Sequence, residues 1–228
     1  MNNINYQKQL DKLIHNNIKE GIKPTLLLHA CCAPCSSYVL EYLTKYFEIT
    51  VDFYNPNISP KEEYDYRAKE ISRLIKEMKV DVKLIIEEYD NQIFEDMANG
   101  LEEVPEGGVR CFKCYELRLR NAAKRAKEGN FDYFTTTLSI SPLKNSQKLN
   151  EIGKKVSDEY GVDYLFSDFK KKEGYKGSVE LSKIYNLYRQ NFCGCKYSKS
   201  EVEKREQIEQ NNYVATKEKE CGIKAKIQ

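Results

Sequence analysis

The chain of 228 residues contains no tryptophan and only two histidines, His15 and His29. A metal site here must therefore lean on thiolate, which favours zinc or iron–sulfur chemistry over hard cations. No apolar run approaches the roughly 20 residues a membrane helix needs. The stretch Met1 to Glu20 shows no apolar segment behind a basic start, so no secretory signal is expected. The expected location is the cytoplasm. A net charge of +2 is too small to announce a nucleic-acid surface, and local basic patches would have to supply one. Internal repeats, low-complexity linkers and a glycine-rich phosphate cradle are also absent.

Against that background the eight cysteines stand out. In a reducing compartment, clustered cysteines read as metal ligands or redox catalysts rather than staples. Hydrophobic residues at 40% and charged residues at 32% describe a globular chain able to bury a core.

The pattern alternates strand and helix. Asn5 to Glu20 reads as an amphipathic helix with Leu10, Leu13, Ile14 and Ile18 on one face. Thr25 to His29 reads as a buried strand, followed by a cysteine loop and a helix from Ser36 to Tyr46 with Pro34 near its first turn. Phe47 to Tyr54 is a second strand. Ser59-Pro60-Lys61-Glu62 resembles a capped helix start, and that helix runs to about Met78. Val82–Ile86, Asp132–Thr136 and Val162–Phe166 are further strands. Helices are expected at Phe94–Gly100, from Cys111 to near Gly129, into Tyr160, and over Val179–Gln190. Asp168 to Gly177 reads as a basic loop, and the tail beyond Lys199 as helical at first, then frayed. The expected fold is α/β, a Rossmann-like, mainly parallel sheet flanked by helices with a helical C-terminal extension. One domain is expected over 1–228: an N-terminal helix at 1–20, a core at 25–197 and a charged tail at 198–228. Ligands in such folds bind beyond the carboxyl ends of the strands, where the first cysteines lie.

Cys111 and Cys114 form a C-x-x-C at a helix start, where amides and the helix dipole favour thiolate. Cys31, Cys32 and Cys35 add three thiols in five residues. Spacing permits two four-thiolate sets with Cys111 and Cys114, one using Cys32 and Cys35, the other Cys31 and Cys32. Either suits a [4Fe–4S] cluster or structural zinc. In Cys193-Gly194-Cys195 a bridge would close a very small ring, the geometry of a labile redox dithiol. The alternative is two more metal ligands. Cys221 reads as incidental, and His29 as either a donor behind the cluster or a satisfied buried histidine.

Six ordered motifs carry a family resemblance: Leu-Leu-Leu-His-Ala-Cys-Cys-Ala-Pro-Cys (26–35), Tyr-Asn-Pro-Asn-Ile (54–58), Arg-Cys-Phe-Lys-Cys-Tyr-Glu-Leu-Arg-Leu (110–119), Thr-Thr-Leu-Ser-Ile-Ser-Pro-Leu-Lys-Asn (136–145), Phe-Ser-Asp-Phe-Lys-Lys (166–171) and Tyr-Arg-Gln-Asn-Phe-Cys-Gly-Cys (188–195). From about Thr25 to Tyr197 the chain resembles the QueH family of epoxyqueuosine reductases. The resemblance implies reductive removal of the epoxide oxygen of epoxyqueuosine at the tRNA wobble position. It implies a [4Fe–4S] cluster on Cys31, Cys32, Cys111 and Cys114, and a redox-active disulfide of Cys193 and Cys195. It leaves Cys35 and Asp168 for an additional iron or the substrate, with Asp168, Tyr175 or a loop lysine as proton sources. The implied partners are the tRNA anticodon loop and an external electron donor. Lys170, Lys171, Lys172 and Lys176, the helix cations Arg118, Arg120, Lys124 and Arg125, and the Tyr54–Asn57 turn are candidate RNA contacts. Competing readings are a tRNA sulfur-transfer enzyme and a zinc-stapled RNA-binding module.

Overall fold

The structure, a computed structural model, describes residues 4–224. Five parallel strands run in the order β3-β2-β1-β4-β5: β1 Thr25–His29, β2 Glu48–Phe53, β3 Val82–Ile86, β4 Tyr133–Thr136 and β5 Asp163–Tyr164. The helices are α1 Tyr6–Glu20, α2 Ala33–Leu43, α3 Lys61–Met78, α4 Gln92–Ala98, α5 Val109–Glu128, α6 Ser146–Tyr160, α7 Gly174–Ile184 and α8 Lys196–Lys224. Among the described residues no helix is long and apolar enough to cross a membrane.

The central strand explains the layering. Leu26, Leu27 and Leu28 are all fully buried, as expected for a strand covered on both faces. Alternation sends Leu26 and Leu28 into a core shared with α1, α2, α3 and β2. Leu27 enters a second core with α5 and α6. His29 follows Leu27 at a spacing of two, so it faces the α5 side. The chain order reverses between β1 and β4, which creates a crevice at their carboxyl ends.

Several expected boundaries move, each for a physical reason. Helix α2 begins at Ala33, not Ser36, because Pro34 occupies an early helical position that needs no amide donor. Cys32 thereby becomes the N-cap, and Cys35 lies within the first turn. In α1 the buried face is Tyr6, Leu10, Ile14 and Asn17, while Ile18 is exposed. Ser59 does not cap α3: Pro60 is the N-cap with no side-chain bond, and the Ser59 amide donates to Gly194 O at 2.9 Å. Helix α7 spans Gly174–Ile184, so residues 174–177 are not loop, and 185–190 lie beyond the helix. Its glycines serve packing: a Cβ at Gly174 would stand 1.9 Å from Phe169 O, and one at Gly177 would stand 2.7 Å from the Tyr38 ring of α2. Strand β5 is only two residues long, although Leu165 N still donates to Phe134 O at 2.9 Å. Helix α8 starts directly after Cys195 and continues to Lys224, where fraying was expected.

One buried carboxyl makes the sheet pH-sensitive. Asp52 on β2 has no solvent exposure and faces α5, with Asn121 Nδ2 at 3.4 Å and Arg125 Nε at 4.0 Å. Burial, then the neighbouring Glu87 carboxyl, pushes Asp52 up to about 7. A carboxyl whose folded value exceeds its unfolded one stabilises fully below about pH 4 and loses that contribution as pH rises through about 7. Asp52→Asn is therefore expected to unfold at higher urea than the parent at pH 8, by on the order of a few kcal/mol. The advantage should shrink toward pH 5. A stability difference independent of pH would remove Asp52 from this role.

Candidate active site

Two neighbouring cavities occupy the crevice beyond β1 and β4. The larger, of about 290 Å³, is lined by Cys31, Cys32 and Cys35 on one side and by residues 140–144 and 189–193 on the others. The smaller, of about 20 Å³, is lined by Cys111, Cys114, Cys193 and Cys195. Cys193 borders both. Seven cysteines are free thiols, and the side chain of Cys221 lies outside the described residues.

The first group is compact. The Sγ atoms of Cys31, Cys32 and Cys35 all lie within 4.8 Å of one another, and Cys31 and Cys32 are 3.8 Å apart. The turn out of β1 thus brings adjacent cysteines to one point, with Cys35 joining from the first turn of α2. Thr137 Oγ1, just after β4, accepts from the Cys31 amide at 3.2 Å and donates to Cys31 Sγ at 3.4 Å. The three thiols titrate unequally. Hydrogen bonds from Cys31 and Cys35 hold Cys32 well below the ordinary thiol value, and the Arg67 charge adds to that. The bond to Cys32 pushes Cys31 up to about 11, and bonds to Cys31 and Cys32 push Cys35 well above the ordinary thiol value. Cys32, at the helix N-cap, is the first of them to become thiolate.

In the second group, burial pushes Cys114 up to about 11 and raises Cys111, which sits in the first turn of α5 and accepts from Gly107 N at 3.3 Å. Burial and then Cys193 push Cys195 up to about 12. The Cys193-Gly194-Cys195 turn is clamped from several directions. Cys193 N donates to Ser198 Oγ at 3.0 Å, Ser198 N donates to Cys195 Sγ at 3.4 Å, and Arg67 Nη1 donates to Cys193 O at 3.1 Å. Gly194 has φ 121°, and a Cβ there would meet Ile58 at 3.0 Å and Arg67 at 3.1 Å. Only glycine fits.

Between the groups lies a set of buried charges. Arg118 of α5 is buried; its Nε donates to Cys114 O at 3.2 Å and its Nη1 to Asn55 Oδ1 at 3.5 Å. Its Nη2 has no hydrogen-bond partner among the described residues. Burial would lower its basicity, but Cys114, Cys193 and Cys31 hold it charged. Lys144, 7% exposed, borders both cavities and donates to Glu106 Oε1 at 2.7 Å. Glu106 Oε2 accepts from Ser198 Oγ at 2.8 Å, completing a chain from Lys144 to the cysteine turn. A buried N–H without an acceptor is costly. Thiolates, or the sulfides of a cluster held by them, are acceptors of the right sign. The donor set is all sulfur, and the residues present therefore fit a thiolate-held metal group.

Other candidates fall elsewhere. Asp168 lines neither cavity; it pairs with Lys170 at 3.3 Å and accepts from Ser146 Oγ at 3.2 Å. Lys170 in turn donates to Lys144 O at 3.3 Å, so this pair braces the lysine-bearing loop. His29 is a satisfied buried histidine. Its Nε2 must donate to Tyr54 O at 3.0 Å, leaving Nδ1 to accept from Thr136 Oγ1 at 2.8 Å. Burial and Arg118 push it down to about 4. The Tyr54–Asn57 turn is not a base-contacting loop, because Asn55 and Asn57 are buried and Asn55 Nδ2 donates to Ala30 O at 2.8 Å. Lys172 and Lys176 pair with Asp11 and Glu173, and Arg120 pairs with Glu116 and Glu159. Arg118 and Lys144 carry no local signature beyond their place in motifs, and Glu106 and Ser198 lie outside the motifs altogether; their role emerges only from the assembled crevice.

Comparison with known proteins agrees with the motifs. Residues 26–201 match the family model described as epoxyqueuosine reductase QueH. The protein of that name from Staphylococcus epidermidis is 47% identical over 201 residues, covering 86% of this chain and 84% of the relative. Its namesake from Streptococcus pyogenes is 44% identical over 199 residues, with coverage of 86% and 78%. The Staphylococcus aureus protein is 45% identical over 201 residues, with coverage of 86% and 84%.

Removing the Arg118 charge should raise the nearby thiols. In chelator-treated protein, Arg118→Met is expected to move the ultraviolet thiolate titration up by about one unit or more. Arg118→Lys should restore part of that shift. An unchanged titration in Arg118→Met would show that the guanidinium does not set thiol ionisation.

Proposed function

The chain belongs to the epoxyqueuosine reductase QueH family, and on that premise we propose that it is an oxidoreductase converting epoxyqueuosine in tRNA to queuosine. The observation that supports this reading is the placement of seven thiols and a buried guanidinium around two adjoining cavities at the strand ends. About 290 Å³ is near the lower end of the range for small-molecule pockets, suited to a modified base rather than a folded partner. Cys31, Cys32, Cys111 and Cys114 would hold a [4Fe–4S] cluster, with Cys35 available to an additional iron. When bound, these groups supply electrons and a Lewis-acid site for oxygen.

The chain's own residues account for the rest. Loss of an epoxide oxygen as water consumes two electrons and two protons and leaves an alkene. Closing Cys193 and Cys195 to a disulfide releases two electrons and two protons, so the count closes without another reductant in that turnover. An external electron donor then reopens the pair. Ser198 positions both cysteines. Lys144 borders the cavity and is held charged: burial opposes this, but Cys193, Tyr115 and Glu106 outweigh it. It is placed to give a proton to the departing oxygen. Asp168 acts through the loop, by fixing Lys170.

A specific distance favours a second reading of the metal. Tetrahedral thiolates about 2.3 Å from one ion stand about 3.8 Å apart, the separation of Cys31 and Cys32. A single ion on Cys31, Cys32 and Cys35 would fit that triad.

Anaerobic purification and reconstitution with iron and sulfide decides between these readings. A brown protein bleached by dithionite, holding about four irons with matching sulfide, supports the cluster. A colourless protein with one zinc and no sulfide would sink the reductase reading. In the epoxide assay, Cys193→Ser should retain cluster absorbance yet lose multiple turnover by at least about a hundredfold, as expected for a covalent redox group. Full turnover would remove the dithiol from the reaction.

A further inference from the structure

A base within an RNA loop is stacked on its neighbours, and an enzyme acting on it in a pocket must first pull it out. That costs a few kcal/mol, and proteins commonly offset it by filling the gap with an apolar side chain. The rim of the larger cavity carries such a group. Leu143 is 70% exposed, yet it is not on a loose loop. Its amide donates to Ser141 Oγ at 3.3 Å, and Lys144 N donates to Ser141 O at 3.1 Å. Lys144 is held by Glu106, and Asn145 caps α6. An apolar side chain is thus presented to solvent on a pinned turn, beside the exposed Pro142.

Tyr175, 40% exposed, belongs to the same cavity wall. The Arg189 guanidinium lies over its ring, 6.0 Å from the centroid. Aromatic rings and guanidinium planes are the surfaces on which extruded RNA bases stack. The charge is also complementary. The cavity is lined by Arg67, Arg118, Arg189, Arg205 and Lys144 against a single acid, Glu106. Among the described residues Arg189 bonds only neutral acceptors, Ser178 O at 3.5 Å and Ser182 Oγ at 3.1 Å. Arg205 bonds Glu201 O at 3.3 Å and makes no ion pair among them. Both remain free to meet phosphates.

We propose that Leu143 is a wedge that enters the anticodon loop and takes the place of the target base, while Tyr175 and Arg189 receive the displaced base at the cavity mouth. The inference rests on the proposed tRNA substrate and assigns a step that precedes the chemistry: base extrusion on a preformed rim.

The test uses the reconstituted full chain and an anticodon stem-loop RNA carrying 2-aminopurine beside the wobble position. Binding by the parent should raise the fluorescence as the neighbour unstacks. Leu143→Ala should lose most of that rise and bind about tenfold more weakly, the scale of one buried leucine side chain. Leu143→Met, which keeps the apolar bulk, should retain the rise. Arg189→Gln should instead weaken binding and flatten its salt dependence. Full fluorescence rise and parental affinity in Leu143→Ala would overturn the wedge while leaving the tRNA substrate intact. Failure of the parent to bind the stem-loop at low salt would overturn both.

Discussion

The site depends on burying the guanidinium of Arg118. A charged group inside a protein costs several kcal/mol unless its surroundings supply opposite charge and hydrogen bonds. Helix α5 carries Arg118 to the switch point between β1 and β4, where it meets the carbonyl of Cys114, the amide of Asn55 and thiols from three separate segments. One of its nitrogens has no hydrogen-bond partner among the described residues. A fold would not retain that arrangement for stability alone. It is sustained if the surrounding sulfurs are anionic, and the metal group proposed above would let several anionic sulfurs pack together. The cation and the thiols thus account for each other.

The same logic extends to the cysteine turn. Cys193 and Cys195 lie between the core and α8, and each bond that fixes them comes from a different element: Ser59 before α3, Arg67 within it, Ser198 at the start of α8. The dithiol is therefore not a mobile arm. It is held against Cys111 and Cys114, with Lys144 and Glu106 forming a polar bridge to the larger cavity. In the proposed reaction, electrons and protons leaving the dithiol would have a short route to whatever occupies that cavity. The titration order within the triad fits as well, since a low Cys32 beside raised Cys31 and Cys35 gives one thiolate stabilised by two S–H donors.

Much of this architecture was legible in the sequence, for identifiable reasons. Leu26 to Leu28, a short apolar run after Pro24, read best as a buried strand, and the third strand and the end of α3 follow from plain periodicity. The cysteine groups announced a sulfur site by spacing alone. Helix α7 was misplaced because Gly174 and Gly177 look like turn residues, and their packing against Phe169 and Tyr38 is tertiary. The Ser59 cap failed for a similar reason, its amide having been recruited by Gly194. Arg118 read as one of several helix-surface cations because nothing local distinguishes it from Arg120, which does lie outside among carboxylates. Burial of a charge is decided by which strands the helix covers, and that is a property of the assembly.

The distribution of charge then separates two tasks that the linear sequence blends. Lys170 and Lys172 before α7 and Lys176 within it pair with Asp168, Asp11 and Glu173. Two cations at the cavity, Arg189 and Arg205, make no ion pair among the described residues. A nearly neutral protein can attract a polyanion through such local imbalance, because screening over about 8–10 Å makes the near charges count and the distant ones cancel. The net charge of +2 therefore understates the field at the mouth. Phosphates drawn to that rim would bring a loop base over a pocket whose floor is sulfur, and the fold places the attraction and the chemistry at one end of the same sheet.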